Sequence, residues 1–131
     1  MAHPNERILR DYFDAVAARD LDRAAGALTA DVMLHVPGRN AMSGDVHGPE
    51  AWRAYLRRMR EVSGGSFRLE PHDVLVSDEH AVTLAALHAE VGGRTLDWHR
   101  VGVYHFRDGK ISEVWLHEDD QYAVDELFGQ A

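Results

Sequence analysis

The sequence predicts an α+β protein, because helical patterns fill its first half and strand patterns fill most of its second half. Apolar residues recur at helical spacing in three segments before residue 63, and alternate between 67 and 91. The longest alternating stretch, residues 96–120, contains Asp108-Gly109, a dipeptide that favours a tight hairpin turn. We therefore expect about five mostly antiparallel strands, strongly curved around roughly three N-terminal helices, with a pocket between sheet and helices.

Each predicted helix has an apolar stripe and a recognisable start. The first covers residues 5–18, with Asn5 as its cap, and the second follows the capping residue Asp20. The third begins at Gly48-Pro49, where proline suits the first helical position, and ends near Val62. Its polar side carries four arginines, which we interpret as a solvated face: Arg53, Arg57, Arg58 and Arg60.

The remaining segments complete the predicted sheet. Strands are expected over residues 31–37, 67–77 and 80–91. The segment PGRNAMSGDVHG, between the first of these strands and the third helix, is expected to be a loop that forms the rim or lid of a pocket. The tail segment QYAVDELF is predicted to place a turn of helix across an open end of the sheet.

The hairpin supplies the first candidate site. A two-residue turn would place Arg107 opposite Lys110 and Gly102 opposite Trp115, leaving room for the tryptophan ring. One face would then carry a polar and aromatic group of residues: Trp98, Arg100, Trp115, His117 and Asp119. The other face would carry His105 and Glu118 among valines and leucines.

Composition excludes several classes of function. The 131 residues are expected to form a single domain, 1–131, and the absence of cysteine rules out disulfides and thiolate chemistry. The net charge of −8 without a basic run argues against nucleic acid and anionic membranes as partners. The N-terminus MAHPNER lacks an apolar signal core, so a cytoplasmic location is expected. The nine histidines show no metal-ligand spacing such as H-E-x-x-H, so no metal site is expected.

Three segments carry a resemblance to a known family. These are residues 31–48 (DVMLHVPGRNAMSGDVHG), the helix start at Gly48-Pro49, and the pattern DGKISEVWLHED. Together with the element order, they are similar to SnoaL-like proteins of the nuclear-transport-factor-two-like superfamily, which includes polyketide cyclases and ketosteroid isomerases. The resemblance implies a cone-shaped fold with a pocket, and it leaves the activity open because the fold hosts cyclases, isomerases, dehydratases, epoxide hydrolases and non-catalytic binders.

The resemblance to SnoaL-type cyclases also implies roles for individual residues. The general acid/base would be Asp119, eight residues after the isoleucine of DGKI, assisted by His105, with Tyr12 lining the pocket. Asp119 and His105 lie on opposite faces of the predicted hairpin, so both could face one pocket only if a bulge lies near the acidic end, residues 117–120. Ketosteroid isomerase chemistry is not expected, because Val36 stands where that family has its base.

The leading hypothesis is a small cofactor-independent enzyme that performs acid/base chemistry on a hydrophobic ketone or polyketide-type substrate. The expected catalytic residues are Asp119, His117, Arg100 and His105, and the expected substrate contacts are Tyr12, His35, Trp52, Trp98, Tyr104, Trp115 and Asp120. One alternative is an epoxide hydrolase or dehydratase, for which Asp97 would lie on the wrong face from Arg100. Another is a non-catalytic module that binds a hydrophobic ligand or forms dimers. A homodimer is expected in either case, by resemblance and because a one-sided sheet leaves an apolar outer face to cover.

Overall fold

The computed structural model describes residues 2–129, which form four helices and one six-stranded sheet. The helices are α1 (Pro4–Ala17), α2 (Leu21–Gly26), α3 (Pro49–Val62) and α4 (Gln121–Phe128). The strands are β1 (Leu28–Val36), β2 (Gly44–His47), β3 (Arg68–Val76), β4 (His80–Val91), β5 (Arg94–Arg107) and β6 (Lys110–Glu118). The predicted α+β class and the three N-terminal helices are confirmed.

The strands lie in the order β2-β1-β6-β5-β4-β3, and every neighbouring pair is antiparallel except β1 with β6. The sheet is therefore curved and mostly antiparallel, as expected, but it has one strand more than predicted. The additional strand β2 comes from the segment predicted to be a loop, where Asp45 pairs with His35. The sequence did not predict β2, because this strand is only four residues long and lies in a segment rich in turn-forming residues.

The helices pack on the concave face of the sheet in two places. Helix α3 contacts β1 and β2, and α1 contacts β3 and β4; both contribute to the main core, which contains Leu9, Trp52 and Val114. Helix α4 covers the far end of β4 and β5, where Val124 and Leu127 pack with Trp98. The predicted position of the C-terminal helix is confirmed.

The start of α1 differs from the prediction in its capping residue. The ring of His3 accepts a hydrogen bond from the backbone N–H of Asn5, so His3 is the cap. The buried amide of Asn5 instead donates to the carbonyl oxygens of Ser77 and Asp78, each at 3.0 Å. Asn5 therefore ties the first helix to the β3–β4 turn.

The hairpin of β5 and β6 turns where the sequence predicts it. Asp108 and Gly109 both adopt positive φ, at 52° and 76°, as a two-residue turn of this type requires. Arg107 pairs with Lys110 and Phe106 with Ile111, in agreement with the predicted register. Beyond these pairs the register shifts, because a bulge in β6 adds Ser112 between the partners of Phe106 and His105.

No helix among residues 2–129 is both long and apolar enough to span a lipid bilayer.

Candidate ligand-binding site

The bulge at Ser112 decides which residues face the interior. Past this point, His105 pairs with Glu113, Gly102 with Leu116 and Arg100 with Glu118. A shift of one residue moves every later side chain of β6 to the opposite face of the sheet. The predicted register was therefore wrong over most of the hairpin, and the carboxylate brought beside Arg100 is Glu118 rather than Asp119.

Arg100 and Glu118 form a buried ion pair between the last two strands. The Nε and Nη2 atoms of Arg100 donate to the two carboxylate oxygens of Glu118 at 2.7 and 2.8 Å, and the two side chains are only 8% and 2% exposed. Burial alone would lower the pKa of Arg100, but the hydrogen bonds and the charge of Glu118 raise it overall. Arg100 therefore stays a cation inside the protein.

Tyr104 lies beside this pair and depends on a glycine for its position. A methyl group on Gly102 would come within 2.8 Å of Cε1 of Tyr104 and 2.9 Å of the hydroxyl of Thr83, which pairs with Gly102 on β4. Gly102 thus leaves room for the Tyr104 ring, and not for Trp115 as predicted. Burial raises the pKa of Tyr104 to about 12, against the opposing effects of Arg100 and of a hydrogen bond with Thr83.

Two further tyrosines come from the helices that cover the sheet. The hydroxyl oxygen of Tyr12 in α1 accepts a hydrogen bond of 2.9 Å from the indole N–H of Trp52 in α3. Burial raises the pKa of Tyr12, and it does the same for Tyr55 of α3, despite the nearby Arg100. At neutral pH all three phenols, including that of Tyr104, therefore keep their protons.

These groups line a small interior cavity of about 50 Å³. Its walls are mostly apolar, and the polar groups that line them are Tyr12, Trp52, Tyr55, Arg100 and Tyr104. The Trp52 N–H already binds Tyr12, whose own O–H remains able to donate, since a hydroxyl can accept and donate at once. The cavity therefore offers mainly hydrogen-bond donors.

A larger groove adjoins the cavity between α1, α3 and β3. It has a volume of about 440 Å³ and shares six apolar lining residues with the interior cavity: Phe13, Val16, Leu56, Met59, Phe67 and Leu69. We call this space the mouth groove. Cavity and mouth groove meet at this apolar boundary, so a molecule lying in the groove could extend one end towards Tyr12 and Arg100.

The structure places three of the four predicted catalytic residues outside this site. Asp119 is half exposed and its carboxylate accepts a hydrogen bond from the backbone N–H of His99 at 3.1 Å. His105 lies on the outer face of the sheet, with its Nδ1 2.8 Å from the Ser112 hydroxyl, and His117 is exposed on that same face. A bulge does occur, but it lies next to the turn and not near the acidic end, residues 117–120, and with it the shared face assumed for Asp119, His117 and Arg100 does not form.

The predicted substrate contacts divide in the same way. Tyr12, Trp52 and Tyr104 line the cavity, whereas Trp98 lies under α4 and packs edge-on against Phe128. The other three lie elsewhere: His35 and Trp115 stack on the outer face with ring centroids 5.7 Å apart, and Asp120 caps α4.

Sequence reasoning did not select two residues of the candidate site, and it placed Asp97 correctly. Tyr55 follows Trp52 by three positions on the same helix, a spacing that could have marked it. Glu118 could not be found, because its position depends on the bulge. Asp97 of the epoxide hydrolase hypothesis binds His88 at 2.7 Å and is mostly exposed, away from Arg100 as expected.

Within residues 2–129, no three His, Asp or Glu side chains cluster as a metal site would require.

The sequence matches the SnoaL-like domain family over residues 9–114. This match covers most of the chain, and the protein belongs to that family. None of the curated proteins compared with the chain matches it.

Solved structures agree with this assignment. Bal32a from a soil-derived mobile gene cassette superposes with a TM-score of 0.92 at 29% identity, covering 96% of this chain and 97% of its own. A protein of unknown function with a cystatin-like fold from Xanthomonas campestris gives 0.88 at 29% identity, covering 95% and 97%. TerC, co-crystallized with polyporic acid, gives 0.84 at 22% identity, covering 96% and 98%. The predicted cone fold of the nuclear-transport-factor-two-like superfamily is therefore confirmed.

Proposed function

We propose that this SnoaL-like protein is an enzyme that binds a hydrophobic ketone or polyketide-type molecule in the mouth groove and interior cavity, and catalyses proton transfer on it. The observation that carries the proposal is the buried Arg100–Glu118 pair beside three protonated tyrosines in an otherwise apolar cavity. Replacing a buried ion pair by apolar residues is often neutral or stabilising, so stability alone does not explain why this pair is present.

The donors of the cavity favour a ligand that presents an oxygen acceptor. Tyr12, Tyr104 and Arg100 line a small, mostly apolar space, where hydrogen bonds to a developing oxyanion are stronger than in water. A carbonyl oxygen placed there would become more negative as a neighbouring C–H bond loses its proton. The same groups would then stabilise the resulting enolate, as an isomerisation or a ring closure requires.

The candidate proton acceptor in this proposal is Glu118, the carboxylate bound to Arg100. Glu118 is only 2% exposed and is not among the residues that line the cavity, so a small movement of the ion pair would have to bring it to the substrate. Each of its carboxylate oxygens binds one N–H of Arg100, which leaves lone pairs free for a proton. Arg100 would stay charged through the cycle and hold the carboxylate in place. An isomerisation moves protons only. A ring closure also forms a C–C bond between the enolate carbon and a second carbonyl carbon of the same molecule, whose oxygen takes up the proton, and side chains are sufficient for both reactions.

Polyporic acid bound to TerC gives the proposal a structural precedent at the level of the fold. TerC shares only 22% identity with this chain, so the comparison supports a small organic ligand in this type of pocket and leaves its chemical nature to experiment. We also propose that the protein forms a homodimer through the outer face of the sheet.

The test compares Tyr104→Phe with the matched variant Tyr122→Phe, whose ring is 90% exposed on α4. A panel of polycyclic ketones and their methyl esters would be screened by thermal shift, and stabilising compounds would be followed for turnover. We expect Tyr104→Phe to lower kcat by about ten- to a thousand-fold, since it removes an oxyanion donor. Tyr122→Phe should behave as wild type.

The main alternative is a non-catalytic protein that holds the same class of ligand. Compounds that stabilise the wild type but are never converted would favour this alternative. Glu118→Gln then separates the two functions further: it should abolish turnover while retaining ligand binding if Glu118 is the base. Equal kcat in wild type and in both interior variants would refute the proposed mechanism.

A further inference from the structure

The arginines of the mouth groove stand out against the acidic composition of the protein. The chain carries a net charge of −8, yet its mouth groove is lined by four arginines and a single carboxylate. The charged residues in question are Arg19, Arg57, Arg60, Arg68 and Glu70. A local excess of positive charge on an acidic protein favours anions at this position.

Within the described part of the chain, most of these arginines have no ion-pair partner. Among residues 2–129, Arg57, Arg60 and Arg68 form no salt bridge, whereas Arg53 on the same helix pairs with Asp22 and Glu50. Arg19, in the turn between α1 and α2, donates to the carbonyl oxygen of Gly65 at 3.3 Å. Part of the arginine-rich side of α3 is therefore a site lining, and not only the solvated face that its sequence suggests.

The apolar floor and the charged rim together describe one kind of ligand. The floor consists of Phe13, Leu56, Met59, Phe67 and other apolar side chains, and it leads to the donor-lined interior cavity. We propose that the ligand is an amphiphile whose apolar body lies on this floor and whose anionic group binds Arg57, Arg60 and Arg68 at the rim. The inference rests on the proposed function, because it specifies the substrate class of the same site.

The two ends of such a ligand would be recognised differently. Arginine binds carboxylate, sulfonate and phosphate oxygens through planar, charge-assisted hydrogen bonds, and the rim is exposed enough to adapt to any of them. The interior donors would bind an uncharged oxygen at the opposite end. Orientation in the site would then follow from the charge at the rim, and the reacting carbonyl would be delivered to Arg100 and Tyr104.

A matched pair of fluorescent probes tests this inference directly. N-phenyl-1-naphthylamine and 8-anilinonaphthalene-1-sulfonate share the same aromatic body, and only the second carries an anionic group. Binding of both would be measured by titration on wild type, on the double variant Arg57→Gln/Arg60→Gln, and on the control Arg7→Gln/Arg58→Gln. The control removes the same charge from exposed arginines that do not line the groove.

We expect wild type to bind the sulfonate more tightly than the neutral probe. The groove variant should weaken sulfonate binding about five-fold or more, with little effect on the neutral probe and none from the control, as loss of two partly exposed charge contacts predicts. The affinity for the sulfonate should also fall as salt rises from roughly 0.05 to 0.5 M. Carboxylate and phosphate analogues of the same body would then show which anion is preferred.

Other outcomes overturn the inference in distinguishable ways. Equal affinity for the two probes in all three proteins would refute the role of the arginines and leave the proposed ligand site intact. An equal loss in the groove variant and the control would show that overall charge, and not the rim, attracts the anion. Binding of neither probe would refute both the inference and the proposed site, and would leave the mouth groove as a surface for another polypeptide.

Discussion

Gly102 leaves the space that the ring of Tyr104 occupies, because its side chain is only a hydrogen atom. Gly102→Ala would place a methyl group 2.8 Å from the Tyr104 ring and 2.9 Å from Thr83, within a strand whose backbone cannot easily move. We expect a loss of about 1–3 kcal/mol in the free energy of unfolding, as overpacking usually causes, and displacement of Tyr104 from the cavity. Urea denaturation measures the first effect, and ligand binding measures the second.

Gly26→Ala is the matched control for this substitution. A methyl group there meets no atom within 4 Å, and the residue lies in the last turn of α2. Alanine is a better helix former than glycine by about 1 kcal/mol, so the control should be neutral or slightly stabilising. Similar losses in both variants would contradict the packing argument.

The Arg100–Glu118 pair should behave as a buried ion pair in a double-mutant cycle. Arg100→Met or Glu118→Leu alone would leave an unpaired charge inside the protein, and each should lower the free energy of unfolding by about 3–5 kcal/mol. The double variant should recover most of this loss, because two apolar side chains need no partner there. Urea denaturation of the four proteins gives the coupling energy.

The exposed pair of Arg94 and Glu126 provides the contrast, since both side chains are largely solvated. Removing Arg94 should change the free energy of unfolding little. An Arg100→Met variant as stable as wild type would show that the ion pair contributes nothing to the free energy of unfolding. That result would remove the argument that the pair is kept for function at a cost in stability.

Among the elements, β2 is held to the sheet partly by one histidine of β1. His35 binds Asp45 of β2 through Nδ1 at 2.8 Å and Glu113 of β6 through Nε2 at 2.6 Å. The hydrogen bond to Glu113 is the largest effect on the pKa of His35; together with Asp45 it outweighs partial burial and raises that pKa above the usual 6.5. His35 thus links three strands when it is protonated.

A raised pKa in the folded state means that protonation stabilises the fold. The contribution of His35 should be complete below about pH 6.5 and be lost as the pH rises through the higher folded-state pKa. We expect the difference in melting temperature between pH 6 and pH 8 to shrink in His35→Gln. Thermal denaturation at both pH values measures it.

The control for this experiment is His47→Gln, an exposed histidine of β2 itself. It should leave the pH dependence of the melting temperature as in wild type. An unchanged pH dependence in His35→Gln would show that the three-strand link contributes nothing to stability.

At the scale of the whole molecule, the outer face of the sheet carries a group of partly exposed apolar residues. Val82, Leu84, Val103 and Trp115 lie on it outside both core clusters, and Val101 is 37% exposed at its centre. Partly exposed apolar residues grouped on one face of a sheet can mark a contact with another protein, and a second copy of the same chain would form a closed two-fold contact. We therefore predict a homodimer through this face.

Sedimentation at micromolar concentration tests the dimer. Val101→Asp should shift the protein to a monomer, because a carboxylate at the centre of the contact would be buried without a partner. Ala51→Asp, on an exposed position of α3, should sediment as wild type. A wild-type protein that sediments as a clean monomer would contradict the prediction.

Sequence reasoning identified the elements of the site better than its residues. The helix stripe marked Tyr12 and Trp52, and the hairpin marked Arg100 and Tyr104, all of which reach the cavity. It did not identify Glu118. The extra residue Ser112 shifts the pairing of β6 with β5, and the alternation of apolar and polar residues around the turn does not show this shift. The predicted placement of Asp119 on the same face as Arg100 was wrong because of that single residue.

The sequence by itself determined the order of the helices and of all strands but β2, the turn at Asp108-Gly109, and membership of the SnoaL-like family. These features depend on local periodicity, turn chemistry and family-specific motifs, which a sequence carries directly. Only the tertiary structure decided which face of β6 is buried, and which arginines of α3 line a groove. Both features depend on contacts between segments that are far apart in the sequence. These contacts form only when the chain folds, so local sequence patterns do not reveal them.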